Sequence, residues 1–128
     1  MNEKPRHRKG FTRIWFALIY SLNGLRFAFT KEAAFRQETC IYVLLMIVLC
    51  FLPLSIVFKC ILFGASTLVL IVELLNSAIE SIVDMTAPEY NDLAKQAKDL
   101  GSAAVFVSII LSVVLWSWAV FLVLTGSA

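Results

Sequence analysis

Two carboxylates and an amide lie close together in the stretch VELLNSAIES at residues 72–81, which directly continues the apolar run ILFGASTLVLI. At about 100° per residue, Glu73, Asn76, Glu80 and Asp84 fall on one side of a helix. Such oxygen groups suit Mg²⁺ better than zinc, and Mg²⁺ held by one or two carboxylates is the usual arrangement in phosphoryl transfer. A further carboxylate within reach of a lipid hydroxyl would act as a general base.

A second polar group precedes the last apolar run of the chain. Lys95, Lys98, Asp99 and Ser102 share one helix face because they are three or four residues apart. The sequence has no Walker-type phosphate loop and no GxGxxG motif. These residues alone leave three interpretations open: a membrane phosphotransferase, an ion or proton transporter that uses the same carboxylates, and a stripe that only joins subunits.

The elements that must position these residues are membrane helices. The chain has 128 residues, of which 60% are hydrophobic and 16% charged, and its mean hydropathy is +0.86. A soluble domain of this length could not bury so many hydrophobic residues. The composition therefore predicts an integral membrane protein with a single domain over residues 1–128. The three cysteines form no CxxC pair, so neither a zinc site nor a disulfide framework is indicated.

We predict an all-α membrane fold with an N-terminal amphipathic surface helix and three transmembrane helices. The surface helix covers about residues 5–30, where apolar residues recur at three- and four-residue steps. The spans cover about residues 32–52, 54–84 and 92–124, which contain the long runs with few charges. Thr30 is the predicted N-cap of the first span, with Glu32 in its first turn.

The distribution of charge predicts the orientation. Ten of the eleven lysines and arginines lie on the side of the N-terminus, which is therefore predicted to be cytoplasmic. The basic N-terminal cluster lies beside a membrane span, so we expect it to meet anionic lipid headgroups rather than nucleic acid.

Helix length predicts the depth of the two glutamates. The segment from Leu54 to Glu73 is about 30 Å long, so Glu73 lies near the cytoplasmic edge of the bilayer. Glu73 can then meet a lipid alcohol, and Glu80, about 10 Å further out, can meet a nucleotide from the cytoplasm. Three helices are too few to cover the polar stripe, so we expect an oligomer in which neighbouring subunits cover it.

Four segments resemble the prokaryotic diacylglycerol kinase family, which also includes undecaprenol kinases. They are GFTRI at 10–14, KEAAFRQE at 31–38, VELLNSAIESIVD at 72–84 and AKDLGSAAV at 97–105. The AAFRQE segment looks most like the Gram-negative branch, which favours diacylglycerol over undecaprenol. The resemblance implies a homotrimer of three-span subunits in the bacterial inner membrane, which transfers the γ-phosphoryl group of ATP to diacylglycerol and so forms phosphatidic acid.

The resemblance also implies a role for each matching residue. Glu73 is similar to the catalytic base, and Glu32 and Glu80 to the carboxylates that hold Mg²⁺ together with ATP. The implied nucleotide-binding residues are Arg13, Tyr20, Glu32, Glu80, Glu89, Tyr90, Asn91, Lys98 and Asp99. The implied lipid-binding residues are Arg13, Ser21, Glu73, Asn76 and Ser102. Asn91 stands where the family commonly has histidine.

Overall fold

The described part of the chain is entirely helical. The computed structural model describes residues 10–87 and 89–126, which form the helices α1 (Phe11–Lys31), α2 (Ala33–Phe51), α3 (Ile56–Thr86) and α4 (Asp92–Thr125). The last three are long and apolar enough to cross a membrane, which confirms the all-α fold with three potential spans. The first residues of the predicted surface helix, 5–9, lie outside the described residues.

A single residue separates α1 from α2. Glu32 has an extended backbone with φ −96° and ψ 115°, and it occupies the N-cap position of α2. The Thr30 hydroxyl instead donates a hydrogen bond to the Arg26 carbonyl at 2.8 Å. The prediction that Thr30 caps the first span was therefore wrong, because this hydroxyl bonds back along α1, as threonines in helices commonly do.

Side-chain caps define the starts of α3 and α4. The Phe58 N–H donates to the Ser55 hydroxyl oxygen at 3.3 Å. The Asn91 side-chain oxygen accepts from the N–H groups of Leu93 and Ala94 at 2.9 and 3.1 Å. Both caps satisfy amide groups that a helix leaves without internal partners. The Asn91 cap starts α4 directly after the short connection from α3, so the two helices run antiparallel.

The apolar core lies at the end of the molecule where α3 begins. Leu49, Leu54, Leu62 and Ala119 form its buried cluster, and Leu62 is fully buried. The Trp116 indole N–H donates to the Ser66 hydroxyl at 3.0 Å and so links α4 to α3 beside this cluster. Contacts between α3 and α4 outnumber those between any other pair of described helices. This helix pair therefore forms the frame that carries the polar residues at its other end.

Candidate functional site

The buried polar residues of α3 share one face of the second half of the helix. Glu73 is 5% exposed and Asn76 is 8% exposed, and Ser77 beside them is also buried. Burying a carboxylate or an amide costs free energy unless the group finds a partner or a ligand. The stripe predicted from sequence therefore faces the interior of the helix assembly, where a functional site can form.

Asn76 is hydrogen-bonded to the next glutamate on this face. Its side-chain N–H donates to the Glu80 carboxylate at 3.0 Å. The Asn76 side-chain oxygen is buried and has no hydrogen-bond partner among the described residues. Glu80 is half-buried, so its carboxylate lies between the buried pair below and the exposed end of α3. This bond fixes the direction in which one Glu80 oxygen points.

Helix α4 packs closely against α3 at a glycine. Gly101 is buried, and a Cβ atom added there would overlap the side-chain oxygen of Asn76. Only a residue without a side chain lets the α4 backbone come this close to the amide. Gly101 thus shapes the wall of the site opposite Asn76.

Carboxylates from three helix segments surround Glu73. Glu80 and Glu32 are close enough to repel its negative charge. Glu38 on α2 is likewise close enough to interact with Glu73, and one of its buried carboxylate oxygens has no hydrogen-bond partner among the described residues. Interacting like charges destabilise one another, so this cluster favours a cation or a hydrogen-bond donor among its members.

A lysine lies at the outer edge of the same cluster. The Lys98 ammonium group forms an ion pair with Asp84, which joins the start of α4 to the end of α3. Glu80 also attracts this ammonium group. Lys98 is half-buried, whereas Asp84 is mostly exposed. A positive charge therefore lies beside the acidic stripe at its solvent-facing end.

The other residues implied by the resemblance are exposed and make fewer contacts in a single chain. Asn91 caps α4 through its side-chain oxygen, and the Ser21 hydroxyl donates to the Ala17 carbonyl at 3.0 Å. Tyr90 in the connection is 80% exposed. The exposed set is Arg13, Tyr20, Ser21, Glu89, Tyr90, Asn91, Asp99 and Ser102. The structure thus brings together Glu32, Glu73, Asn76, Glu80 and Lys98, but not this second set.

The structure adds two contacts beside the site to the stripe predicted from sequence. Gly101 contacts Asn76, and Asp84 pairs with Lys98 rather than only continuing the stripe. The signal for Gly101 was its place in the middle of a helical pattern, where a glycine is unfavourable without a packing reason. The signal for Asp84 was its position one turn beyond Glu80, but its partner depends on how α4 packs.

The fold and the site define the class of protein: it is an α-helical membrane protein with an acidic site near one end of its helices. Residues 19–120 match the family model for prokaryotic diacylglycerol kinase. The Escherichia coli (strain K12) diacylglycerol kinase is 48% identical over 107 residues, which are 84% of this chain and 88% of that protein. The chain therefore belongs to the prokaryotic diacylglycerol kinase family.

Relatives from other bacteria agree with this assignment. The Pseudomonas aeruginosa diacylglycerol kinase is 46% identical over 108 residues, which are 84% of this chain and 88% of that protein. The Helicobacter pylori (strain ATCC 700392 / 26695) diacylglycerol kinase is 38% identical over 114 residues, or 89% of each chain. The family resemblance recognised in the sequence motifs is confirmed.

Proposed function

We propose that this protein transfers the γ-phosphoryl group of ATP to the free hydroxyl of diacylglycerol and so forms phosphatidic acid. The observation that carries the proposal is the two-level arrangement on α3, in which buried Glu73 lies below the hydrogen-bonded pair of Asn76 and Glu80. Its relatives in Escherichia coli and Pseudomonas aeruginosa are diacylglycerol kinases, which supports diacylglycerol as the acceptor. The proposed location is the bacterial inner membrane, with the N-terminus in the cytoplasm.

Glu73 is the proposed general base. It lies about 26 Å along α3 from Ile56, which is close to the thickness of the hydrocarbon core and so suits a lipid hydroxyl at the membrane edge. A carboxylate within hydrogen-bond reach of the lipid hydroxyl can accept its proton as the oxygen attacks phosphorus, and burial keeps bulk water away from this step. Asn76 and Ser102 are the proposed contacts to the lipid at this level.

Glu80 and Glu32 are the proposed ligands for Mg²⁺ bound to ATP. Among residues 10–87 and 89–126, no group of three or more histidine, cysteine, aspartate and glutamate side chains lies close enough to hold a metal ion. Two carboxylates still fit Mg²⁺, which usually takes one or two protein carboxylates and fills its other positions with phosphate oxygens and water. Each of these carboxylates interacts with Glu73, so a cation near them would offset the negative charge of the cluster. When bound, Mg²⁺ would neutralise charge on the phosphates.

In the proposed transfer, one bond to the γ-phosphorus forms and one breaks. The lipid hydroxyl oxygen forms a bond to the γ-phosphorus, and the bond from that phosphorus to its bridging oxygen breaks. The hydroxyl proton passes to the Glu73 carboxylate, and ADP leaves. Lys98 stands beside Glu80 and is the proposed cation for the phosphate groups. Most of the rate enhancement then comes from positioning and charge neutralisation.

Residues on α1 are proposed to complete the site from a neighbouring subunit of a homotrimer. Arg13 lies about 27 Å along α1 from Lys31, the residue next to Glu32. Arg13 is exposed and forms no ion pair with the stripe among the described residues, whereas a neighbouring copy could bring such a side chain to it. The α1 residues proposed to act in this way are Arg13, Tyr20 and Ser21. The connection before α4 and the start of α4 are proposed to add further contacts to the nucleotide, through Glu89, Tyr90, Asn91 and Asp99.

The proposal is tested by lipid phosphorylation with the purified protein. The full chain is incubated in mixed micelles with Mg²⁺, γ-labelled ATP and either diacylglycerol, monoacylglycerol, ceramide or undecaprenol, and the products are separated by thin-layer chromatography. We expect the label in phosphatidic acid at a rate well above that with the other acceptors. Label mainly in undecaprenyl phosphate would favour that acceptor, and ion flux in sealed vesicles without any phosphorylated lipid would contradict kinase function.

A further inference from the structure

Gly101 is a glycine inside a long helix, with no turn or positive φ to explain it. It lies in the tenth position of α4, and the described glycines with positive φ are Gly10 and Gly126. Alanine is the better helix former at an interior position, since glycine loses more conformational entropy on folding. A reason for glycine must therefore come from packing against another helix.

The packing reason is a single side chain. A Cβ atom on Gly101 would overlap the Asn76 side-chain oxygen and lie 3.4 Å from the carbon that bears it, whereas the nearest atom of Ile79 would be at an ordinary 3.8 Å. Asn76 cannot easily yield, because it is 8% exposed and its N–H group is bonded to Glu80 at 3.0 Å. An added methyl group would push this amide and, through the hydrogen bond, the Glu80 carboxylate.

We propose that Gly101 is a positioning residue for the acidic site. It lets the α4 backbone pack directly against the Asn76 side-chain oxygen. With its oxygen on this side, the Asn76 amide directs its N–H group at Glu80. The Glu80 carboxylate is thereby held in the orientation in which it binds the divalent cation that accompanies the nucleotide. This inference rests on the proposed role of Glu80, and it extends the site to a residue that has no side chain.

The first test compares two glycine-to-alanine variants. Gly101→Ala displaces the amide, whereas Gly64→Ala is the matched control because a Cβ atom at Gly64 in α3 meets nothing within 4 Å. Since small misplacements of catalytic groups lower rates strongly, we expect Gly101→Ala to lower kcat roughly tenfold and raise the half-saturating Mg²⁺ concentration roughly fivefold. Gly64→Ala should stay within about twofold of the unchanged protein, as surface substitutions usually do.

A binding measurement makes the test independent of turnover. Mn²⁺ replaces Mg²⁺, and electron paramagnetic resonance measures its affinity for the protein in the presence of ATP. Weaker Mn²⁺ binding by folded Gly101→Ala, with normal binding by Gly64→Ala, supports the inference. Unchanged Mn²⁺ binding and an unchanged Mg²⁺ requirement in Gly101→Ala would overturn it, whatever happens to thermal stability.

A double variant keeps the inference testable if Gly101→Ala does not fold. Asn76→Ala removes the atoms that the new methyl group would strike, so Asn76→Ala/Gly101→Ala should match Asn76→Ala in thermal unfolding and in Mn²⁺ affinity. A double variant that is unfolded, or that binds Mn²⁺ clearly more weakly than Asn76→Ala, would overturn the inference. A protein without lipid kinase activity would overturn the proposed function instead, while the Mn²⁺ comparison would still report on Gly101.

Discussion

The two ends of the α3–α4 pair are packed in opposite ways. At the end where α3 begins, Leu62 is fully buried and Ala119 on α4 belongs to the same apolar cluster. At the other end, the buried residues of α3 include Glu73 and Asn76, and the α4 backbone meets them at Gly101. One end therefore contributes stability through apolar packing, whereas the other holds groups whose burial costs free energy.

Hydrogen bonding shows the same contrast. At the apolar end, the Trp116 indole is satisfied by the Ser66 hydroxyl at 3.0 Å. At the acidic end, an oxygen of Asn76 and an oxygen of Glu38 are buried without hydrogen-bond partners among the described residues. Unsatisfied buried polar atoms are rare in native proteins and are concentrated where function requires them. The difference indicates that apolar packing at one end of the helix pair stabilises the fold, whereas the polar groups at the other end serve function.

The strongest way to test this contrast is to remove the proposed base. Glu73→Gln keeps the size of the side chain but cannot take a proton, so we expect turnover to fall by about 10²–10⁴-fold. Thermal unfolding should not become easier, because a neutral amide costs less to bury than a carboxylate. Phosphorylation of diacylglycerol in mixed micelles checks the first part, and near-normal turnover would rule out Glu73 as the base.

The next largest effect should come from the apolar end. Leu62→Ala leaves a cavity in the buried cluster, and we expect it to lower the free energy of unfolding by about 2–5 kcal/mol. The folded enzyme should keep its KM for ATP and for the lipid, since Leu62 lies far along α3 from Glu73. Thermal unfolding and steady-state kinetics check this. A changed KM with unchanged stability would contradict the division between the two ends.

The smallest effect should come from the ion pair between Lys98 and Asp84. Both partners are at least partly exposed, so Asp84→Asn should leave the thermal unfolding transition nearly unchanged. The released Lys98 should make KM for ATP more sensitive to salt, because an exposed cation is screened by ions. A salt series of KM values checks this, with Asp92→Asn at the start of α4 as the control. A large loss of stability would show a structural role instead.

Sequence periodicity predicted the helices and the polar stripe well, for simple physical reasons. Long apolar runs with few charges predicted helices that could span a membrane. A helical repeat places Glu73, Asn76 and Glu80 on one face whatever they pack against. The roles of single residues came from the family resemblance instead. Periodicity alone left a kinase, a transporter and a subunit contact open.

The remaining contacts of the site depend on how the helices pack against one another. Helix packing cannot be read from the local sequence pattern. The overlap of Gly101 with Asn76 requires the distance and rotation between α3 and α4. The N-cap of α2 was predicted at Thr30 instead of Glu32, because the Thr30 hydroxyl can be satisfied in two ways and bonds back to Arg26. The pairing of Asp84 with Lys98 likewise depends on packing.

The central claim is that the α3 stripe works at two depths, with the lipid hydroxyl at Glu73 and the nucleotide at Glu80. Equilibrium binding of Mg-ATP to the unchanged protein, Glu73→Gln and Glu80→Gln tests it most directly. We predict that Glu73→Gln keeps the Kd of the unchanged protein, whereas Glu80→Gln raises it at least roughly tenfold, as loss of groups that support a metal typically does. An equal change in both variants, or no change in Glu80→Gln, would contradict the claim.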